Sequence, residues 1–582
     1  MKKFFNKIAV LAAATLISPL TTGCLEEAFP ENNQITGPQL EKIDKEGLAL
    51  AISAYMTAYT SDSGLFWDCG FMGFGIWRDV MTADLPVYDN SYDYFRNYGT
   101  TINIGNSYVN EVFWQRYYYL IQKCDALLNV SDMDPEGPDA FYVGNALAYR
   151  AMAYFDMARF YEYQPTGFAV VDDLAESRHI YGLTVPIITE KTTEAEARVA
   201  PRAPFYEIYR FILSDLNLAE KCLKNYTSVT NKVDASLGVV YGLQARFWLE
   251  LGTRFEESAN DLALALQMED SDLLNKYDHL AISTATDCYK KSADYARKAI
   301  NSGYTPLTKS QWYDKVSGFN SPNDSWMWCI SISSSNSLAT TQTWQSFMSY
   351  MSPEATYGIS TVEYCGGRCI DARLYSTISA NDWRKNTWIN PDDVGSEEAY
   401  NAKYKDVTSL TYADWAKFGQ YVGFKFHPGS GNGETSTVGN VISEPLMRVE
   451  EMYLIEAEAV TRGQGAGSGK ALLEAFMNGH RMEGGTYTCP SSQRAGVIDE
   501  IFKQKRIELW GEGLILWDYR RMKKAIERGY PGTNHTGIYR FNSYPGFVAP
   551  WTNIYIPDRV KNLNEKFELN PDPSQVVPLW QN

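Results

Sequence analysis

Apolar and small residues recur at helical spacing in several segments of the chain. One stripe consists of Leu147, Ala151, Tyr154, Ala158 and Tyr161, and a second consists of Leu446, Val449, Tyr453, Ala457 and Val460. Residues three or four positions apart share one face of an α-helix, so each stripe predicts a helix with one buried face. Further helices are predicted at about 41–60, 111–130, 205–225, 235–252, 285–302, 468–483 and 495–526.

The predicted helices tend to follow each other in pairs. Ala293, Ala296 and Ala299 would let the helix at 285–302 approach a neighbour closely, as helix-hairpin repeats require. No strict repeat period survives along the chain. The pattern therefore predicts a mainly α fold with degenerate tetratricopeptide-like helix hairpins.

Long stretches with little periodicity separate the helices, chiefly 61–110, 164–204, 303–445 and 527–582. Loops of this length are uncommon in a compact domain unless they carry a function. Aromatic residues concentrate in the first and third stretches. A few short strands are expected within these loops, for example at 326–332.

The first 24 residues have the layout of a secretory signal that ends in a cysteine. Three lysines precede an apolar run at 8–20, and small residues then lead to Cys24. The run is too short to cross a bilayer, which needs about 20 apolar residues. Residues 1–23 are therefore predicted to be a lipoprotein signal peptide, with Cys24 as the lipidated residue. Cleavage by ordinary signal peptidase beside an incidental cysteine is the alternative.

Two acids follow the cysteine at positions 26 and 27, which resembles the surface-export signal of some Gram-negative lipoproteins. We therefore expect a lipid-anchored protein in the cell outer membrane that faces outside. Residues 24–38 are predicted to be the lipidated tether, because its later part is polar and broken by prolines. The body is expected to be a single domain at 39–582, with parts at about 39–302 and 303–582.

The charge balance limits the partners of this body. Removing residues 1–23, which hold three lysines and no acid, changes the formal net charge from −17 to −20. Such an acidic body repels nucleic acid, so no nucleic acid partner is expected. No later segment has 18 or more consecutive apolar residues, and the body is therefore expected to hang from its lipid.

Cys365 and Cys369 stand apart from the other cysteines because only three residues separate them. Their spacing is wider than that of the usual redox motif, and no second cysteine or histidine pair lies nearby for zinc. A local disulfide, a pair of free thiols and a metal site all stay open at this point.

Residues 132–137 have the acid spacing of the first half of a calcium loop, including the turn glycine Gly137. The pattern fails at the twelfth position, where Val143 stands in place of the usual glutamate. An ordinary loop between helices is therefore expected. No metal site and no cofactor are predicted for this chain.

Short motifs follow each other along the chain in a recognisable order. The most specific block is Tyr149-Arg150-Ala151-Met152-Ala153-Tyr154-Phe155, followed by Gly182-Leu183-Thr184-Val185-Pro186-Ile187. Later, residues 446–459 resemble a helix of the form R-x-A-E-x-Y-L-x-x-A-E-A, and residues 506–513 resemble a block R-x-x-E-L-x-x-E-G. By these motifs the chain resembles the SusD/RagB family of outer-membrane nutrient-binding lipoproteins, from the lipobox to the C-terminus.

The charged residues of these motifs occur among apolar residues on predicted helices. They include Arg448, Glu456, Arg506, Glu508 and Glu512. Charges in such positions usually pair at a contact between helices or face solvent. We therefore expect a structural role for these charges. The motifs that carry the resemblance do not identify the ligand.

The resemblance implies a SusD-like fold and a role in nutrient uptake. Proteins of this family cover a TonB-dependent outer-membrane transporter of the SusC type, capture an oligosaccharide or similar nutrient outside, and pass it in as the lid closes. The resemblance implies no catalytic residue, so the protein is not predicted to be an enzyme. The helices would face the transporter, while loops on the other side would hold the ligand.

The loops at 61–110 and 303–385 supply side chains that suit sugars, because sugars stack their C–H faces on aromatic rings and bond their hydroxyls to polar groups. The family's ligand contacts form no motif, so the candidates rest on residue type and loop placement alone. The predicted aromatic contacts are Tyr88, Tyr92, Tyr94, Trp312, Trp326 and Trp344, and the predicted hydroxyl partners are Asp93, Arg96 and Asn97.

Two other classes of protein stay open. A surface-anchored glycoside hydrolase would need two carboxylates about 5–10 Å apart, which a chain with 70 Asp and Glu residues can always supply. No segment, however, has the strand-end acid of a barrel enzyme. A non-binding helical-repeat scaffold protein is the other alternative.

Overall fold

The computed structural model describes residues 44–58, 69–87, 93–98, 105, 107–341, 346–359, 367–416, 418, 421–564 and 566–576. The predicted signal peptide, the lipidation site Cys24, the tether and the domain boundary at residue 39 lie outside the described residues. Lys45–Asn582 forms a compact unit of its own. None of the helices in the described ranges is long and apolar enough to cross a membrane.

Helices dominate the first half of the described chain. They are α1 Lys45–Tyr55, α2 Met72–Val80, α3 Tyr108–Asn129, α4 Pro138–Tyr161, α5 Ala169–Ser177, α6 Glu194–Ala197, α7 Phe205–Cys222, α8 Leu237–Glu257, α9 Ala259–Met268 and α10 Ala285–Ile300. The predicted helices at 41–60, 111–130, 205–225, 235–252 and 285–302 correspond to α1, α3, α7, α8 and α10.

The second half has shorter elements and more irregular chain. Its helices are α11 Lys309–Trp312, α12 Ser337–Thr340, α13 Phe347–Met351, α14 Ala372–Ser376, α15 Glu397–Tyr404, α16 Tyr412–Trp415, α17 Ser436–Gly439, α18 Val449–Gly463, α19 Ala466–His480, α20 Arg494–Glu508, α21 Ile515–Arg521 and α22 Asp558–Leu563. The strands are β1 Trp326–Ser331 and β2 Ser443–Arg448.

Side-chain caps fix where several of the long helices begin. Ser107 precedes α3 and Ser236 precedes α8, and each hydroxyl accepts a hydrogen bond from the amide three residues later. Thr284 and Asp287 form a reciprocal capping box at the start of α10. Such caps satisfy amides that have no partner within the helix.

Neighbouring helices pack as hairpins and then against the next pair. α3 packs on α4, α4 on α7, α8 on α10, α10 on α18, and α18 on α19. The small residues Ala293, Ala296 and Ala299 of α10 are buried, as the sequence predicts. A Cβ atom at Gly252 of α8 would lie 2.6 Å from the Tyr289 ring, so α8 and α10 approach closely. The predicted mainly α fold with helix hairpins is confirmed.

The two strands form a small antiparallel sheet in which Trp326 lies opposite Arg448 and Ile330 opposite Glu444. The short strand predicted at 326–332 is therefore confirmed. The helical stripe that starts at Leu446 is wrong for its first residue, because the chain is strand until Arg448 and helical from Val449. Pro445 lacks the amide hydrogen that a helix interior needs, whereas the antiparallel pairing with β1 accommodates it.

The predicted helix at 495–526 is divided into α20 and α21. Gly511 and Gly513 lie between the two with φ values of 79° and 70°, a conformation that favours glycine. A Cβ atom at Gly513 would lie 2.3 Å from the Cα atom of Gly75. The turn between α20 and α21 therefore lets the backbone approach α2 directly.

α2 lies in the stretch 61–110, which the sequence predicts to be a loop. Every residue of this nine-residue helix is buried, including the charged Arg78 and Asp79. Residues from far along the chain enclose it and the turn that follows it, since Gly513, Arg528 and Trp551 each donate a hydrogen bond there. Packing between distant segments thus overrides the local pattern.

Candidate functional site

The segment 93–98 is the described part of the predicted ligand loop. It forms a short 3-10 helix, Tyr94–Tyr98, which is anchored inside the protein at its beginning. Asp93 accepts a hydrogen bond from Nη2 of Arg368 at 3.0 Å and from the Phe95 amide at 3.2 Å. Asp93 and Arg368 are both buried, so their ion pair fixes the segment to the interior.

Phe95 is the second anchor of this segment. Its ring is completely buried, with its centroid 5.4 Å from that of Trp77 and 4.7 Å from that of Tyr350. Because the interior positions are taken by Asp93 and Phe95, Tyr94 and Arg96 lie half-buried at the surface. An aromatic ring and a guanidinium held by a fixed backbone suit a ligand that presents C–H faces and hydroxyls.

Several predicted ligand contacts lie outside the part of the chain that the structure describes. Tyr88, Tyr92 and Trp344 lie outside the described residues, and nothing of the Asn97 side chain is described. Their contacts with a ligand stay predictions.

The structure corrects the prediction of Trp312 and Trp326 as ligand contacts, because both side chains are completely buried. The Trp312 indole donates to Oγ1 of Thr387 at 3.0 Å, and its ring lies edge-on to Phe319 at 4.7 Å. Asp93 is buried as well. Long irregular segments in the interior need side chains that cover and satisfy their backbone, so in this structure these three residues offer a ligand no accessible surface.

The family-like motifs of the second half meet in a buried network of charges. Glu508 accepts hydrogen bonds from Arg384 at 2.8 Å, Arg448 at 3.1 Å and Arg481 at 2.8 Å. All four side chains are completely buried. Burial alone would raise the pKa of Glu508, but the three guanidiniums outweigh it and hold the pKa well below its ordinary value.

Glu512 and Lys425 extend this network. Glu512 binds Nη2 of Arg448 at 2.7 Å and Nζ of Lys425 at 2.5 Å. Burial lowers the pKa of Lys425 to about 8, although the Glu512 carboxylate favours the charged form. Lys425 also donates to two main-chain carbonyls, which satisfies the buried ammonium group.

The remaining motif charges are paired as well. Glu456 binds Arg297 at 2.8 Å, and Arg506 binds Asp84 at 2.9 Å. In the first half, Arg150 binds Asp125, Glu190 and Asp215 at 2.7–2.8 Å. The sequence left open whether the motif charges pair at a contact or face solvent, and in the structure they pair at contacts between elements, which agrees with the expected structural role.

An open cleft of about 830 Å³ lies next to α11, and sequence reasoning missed it. Its lining residues are Thr308, Lys309, Ser310, Tyr313, Asn386, Ala402, Lys403, Asp406 and Val407. They come from separate segments and form no motif, so no local signal marks them. The cleft is large enough for a small ligand, and its polar lining suits hydroxyl groups.

No group of three or more His, Cys, Asp and Glu side chains within the described ranges is arranged to hold a metal ion. In the loop at 132–137, Asp134 pairs with Lys221 at 2.8 Å and its amide donates to Asp132 at 3.0 Å. The Asp132 carboxylate thus caps the loop, and the Asp134 carboxylate connects the loop to α7. Cys369 is buried, whereas Cys365 lies outside the described residues, so their pairing stays open.

Family models match both halves of the chain. One model, described as the SusD family, matches residues 308–573. A second model, described as starch-binding associating with outer membrane, matches residues 79–249. The chain belongs to the SusD/RagB family. The resemblance carried by the motifs is confirmed.

Solved structures share the fold of this SusD/RagB family member. A SusD-like carbohydrate binding protein from Bacteroides vulgatus matches with a TM-score of 0.62 at 19% identity, covering 90% of this chain and 96% of the other. A SusD superfamily protein from Bacteroides thetaiotaomicron matches with a TM-score of 0.60 at 17% identity, covering 91% of this chain and 99% of the other.

Surface glycan-binding protein A from Bacteroides thetaiotaomicron matches with a TM-score of 0.58 at 17% identity, covering 90% of this chain and 98% of the other. At these identities the likeness shows the fold. No curated protein matches the chain by sequence.

Proposed function

We propose that this SusD/RagB protein is a cell-surface lipoprotein that binds an oligosaccharide and delivers it to a SusC-like TonB-dependent transporter of the outer membrane. The observation that carries the proposal is the family match in both halves of the chain. One matching model is described as starch-binding associating with outer membrane, and a SusD-like carbohydrate binding protein has the same fold over 90% of this chain.

We propose that the ligand contacts lie around the helix Tyr94–Tyr98. The buried ion pair of Asp93 with Arg368 and the buried Phe95 ring support this, because they leave Tyr94 and Arg96 at the surface on a fixed backbone. Tyr88, Tyr92, Asn97 and Trp344 stay in the proposed set. The protein would bind its ligand without turnover and without a cofactor.

The binding proposal is tested with the form that lacks residues 1–24 and keeps the compact unit Lys45–Asn582. We expect this form to bind at least one class of oligosaccharide on a glycan array. Binding to no glycan, together with co-purification of a large β-barrel, would instead favour the non-binding scaffold.

Catalysis is tested by incubating the same form with each glycan that it binds and separating the products by chromatography. We expect no released sugars. Turnover that disappears when one acid is substituted would replace the binding proposal with the surface-anchored glycoside hydrolase.

The anchor is tested separately from the binding site. We expect Cys24→Ala to leave glycan binding by the soluble body unchanged and to impair uptake of the glycan by cells, because the body is then no longer held beside its transporter. Surface labelling and growth on the glycan measure this. Normal surface display and normal growth in that variant would contradict the lipid anchor.

A further inference from the structure

A pair of exposed aromatic residues marks a surface built from segments other than the helix Tyr94–Tyr98. Tyr544 is 48% exposed and Phe547 is 37% exposed. The Tyr544 ring stacks on that of Phe168, with centroids 4.8 Å apart and planes at 25°. These three residues are called the aromatic platform below.

A glycine makes room for the platform. Gly167 has a φ of 80°, and a Cβ atom there would lie 3.0 Å from Tyr544 and 3.2 Å from Phe547. A side chain here would be strained by the positive φ and would press on both rings, whereas glycine lets the rings lie close to the backbone. The platform is packed on its support and needs little ordering before it binds a ligand.

A charged cleft is built from the segments that support the platform. It has a volume of about 80 Å³ and is lined by Arg159, Glu162, Gln164, Tyr209, Glu250, Arg254, Glu257, Ser258, Asp261, Trp517, Arg520, Arg521 and Lys523. The chain around the platform is fixed to these segments, since the Val548 amide donates to Pro165 and the Gly546 amide donates to Lys523, each at 3.1 Å.

Most of the basic side chains in this cleft already have acidic partners. The pairs are Arg254 with Glu162 at 2.8 Å, Lys523 with Glu257 at 2.9 Å, Arg159 with Asp156 at 2.6 Å, and Arg521 with Glu458 at 2.5 Å. Arg520 donates instead to a hydroxyl and to main-chain carbonyls. An anionic ligand would have to compete with these bonds.

Two buried polar atoms of this cleft have no hydrogen-bond partner within the described structure: the acceptor Oε1 of Glu162 and the donor Nε of Arg254. Arg254 Nε lies 2.7 Å from Asp261 as an ion pair, whereas Glu162, a residue only 3% exposed, has an acceptor left over. Glu250 also lines the cleft, where burial raises the pKa of its carboxyl group against the opposing Arg159 and Arg521. An acceptor in such a place needs a donor, and a hydroxyl group supplies one.

We propose that the aromatic platform and the charged cleft form a second glycan-contact surface, selective for neutral, hydroxyl-rich glycans. A sugar ring stacks on Tyr544 and Phe547, and its hydroxyl groups reach Glu162 and Glu250. The cleft, at about 80 Å³, is much smaller than the 830 Å³ cleft next to α11, and it suits hydroxyls at the edge of a ring better than a whole sugar. This inference rests on the proposed function and adds a second contact along the same polymer.

Two contact surfaces on one protein raise the affinity for a long polymer more than for a short oligosaccharide, because the second contact becomes intramolecular. The double variant Tyr544→Ala/Phe547→Ala is therefore compared with wild type by affinity electrophoresis in gels containing amylopectin, xylan or galactomannan. Chondroitin sulfate serves as the anionic probe. Tyr119→Ala is the matched control, since Tyr119 is also a tyrosine and is 46% exposed on α3.

We expect the double variant to lose roughly five- to tenfold in affinity for the neutral polymer that wild type binds. Its binding of a short oligosaccharide at the first site should not change, and Tyr119→Ala should match wild type throughout. Glu250→Gln, which keeps the shape of the side chain, should weaken polymer binding in the same direction. Polymer quenching of Trp517 fluorescence, measured against a Trp517→Phe control, should require roughly five- to tenfold more polymer in the double variant.

Equal polymer binding by the double variant and Tyr119→Ala would overturn the second surface and leave the proposed function standing. Wild-type binding to chondroitin sulfate alone would overturn the preference for neutral glycans. Wild type that binds no glycan in any format would defeat the proposed function itself. Weaker association of the double variant with its transporter, with glycan binding unchanged, would make the platform a protein contact and overturn the inference.

Discussion

The network around Glu508 and the helix Tyr94–Tyr98 both depend on buried ion pairs, but the pairs have different structural consequences. In the network, Glu508 and its three arginine partners are enclosed completely and hold protein to protein. At the helix, Asp93 and Arg368 are equally buried, yet their pairing leaves Tyr94 and Arg96 at the surface. The network around Glu508 holds the interior together, whereas the pair of Asp93 and Arg368 also positions side chains at the surface.

This difference explains why the family is easier to recognise than the ligand. A buried charge that loses its partner costs several kcal/mol, so residue types in such a network are tightly constrained. A surface side chain away from such features can change with an effect of about 0.5 kcal/mol or less on stability. Motifs therefore collect in the interior, while the residues that meet the ligand leave no motif.

The largest effect is expected from Glu508→Ala, which leaves Arg384, Arg448 and Arg481 short of their shared acceptor in the interior. We expect the free energy of unfolding at pH 7 to fall by about 3–5 kcal/mol, measured by urea denaturation of the soluble form. The control is Glu527→Ala, which breaks a half-exposed pair with Arg373 and should cost at most about 1 kcal/mol. Similar losses in both variants would remove the contrast between interior and surface pairs.

Acid should weaken the network. Burial alone would raise the pKa values of Glu508 and Glu512, but the surrounding cations outweigh this effect and hold both pKa values below the ordinary 4.5. The stabilisation is therefore complete above about pH 4.5 and is lost as the pH falls through the lower folded values. We expect a slope of about 1.4 kcal/mol per pH unit for each carboxylate, and a shallower slope in Glu508→Ala. If Glu508→Ala and wild type lose stability with the same slope as the pH falls, Glu508 is not one of the groups that titrate.

Asp79 should act in the opposite direction, because burial raises its pKa from 3.8 to about 8. Between these values the unfolded chain has lost this proton while the folded protein keeps it, so the contribution of Asp79 to stability falls as the pH rises from about 4 to 8. We expect Asp79→Asn to gain stability relative to wild type across this range. If the difference in the free energy of unfolding between Asp79→Asn and wild type does not vary with pH, Asp79 is ionised in the folded protein.

Trp312→Phe should reduce the free energy of unfolding by about 1–3 kcal/mol, since it removes the hydrogen bond to Thr387 and leaves unfilled space. Glycan affinity should stay unchanged, because the side chain is completely buried. Urea denaturation and isothermal titration calorimetry measure the two quantities. Lost affinity with unchanged stability would return Trp312 to the ligand site.

The smallest change in stability is expected at the surface. Tyr94→Ala/Arg96→Ala should lower glycan affinity about five- to tenfold and the free energy of unfolding by less than about 1 kcal/mol. Tyr119→Ala again serves as the control for loss of a tyrosine ring. Unchanged affinity in the double variant would move the ligand site away from the helix Tyr94–Tyr98.

The long helices were predictable because the spacing of their apolar residues is a local signal, although α4 is buried on every side from Val143 to Ala158 and not on one face. The stripe from Leu147 to Tyr161 lies within α4, and the short strand at 326–332 was found from its apolar, aromatic run. α2 was not found in this way, because it has only nine residues and its charged Arg78 and Asp79 are buried by contacts with distant segments. The division of 495–526 followed from Gly511, which lies against Phe426, and from Gly513, which lies against Gly75 of α2.

The candidate site was less predictable than the fold. Trp312, Trp326 and Tyr94 all occur in stretches without periodicity, yet the first two are buried and the third is half-exposed. Residue type and loop placement cannot separate these cases, because burial depends on distant segments. The partners of Glu508 show the same limit, since Arg384 lies 124 residues away in the chain.

The burial of α2 also sets an order on the folding of the chain. The residues that enclose it through Gly513, Arg528 and Trp551 are 434 to 470 positions away. Contacts so distant form late, because a very long loop must close first. If export delivers the N-terminus first, Phe113 of α3 can cover Phe74 and Trp77 early, whereas the part of α2 that meets Gly513, Arg528 and Trp551 stays open until those residues arrive. Truncation before Trp551 should therefore leave this helix open to proteases and to aggregation.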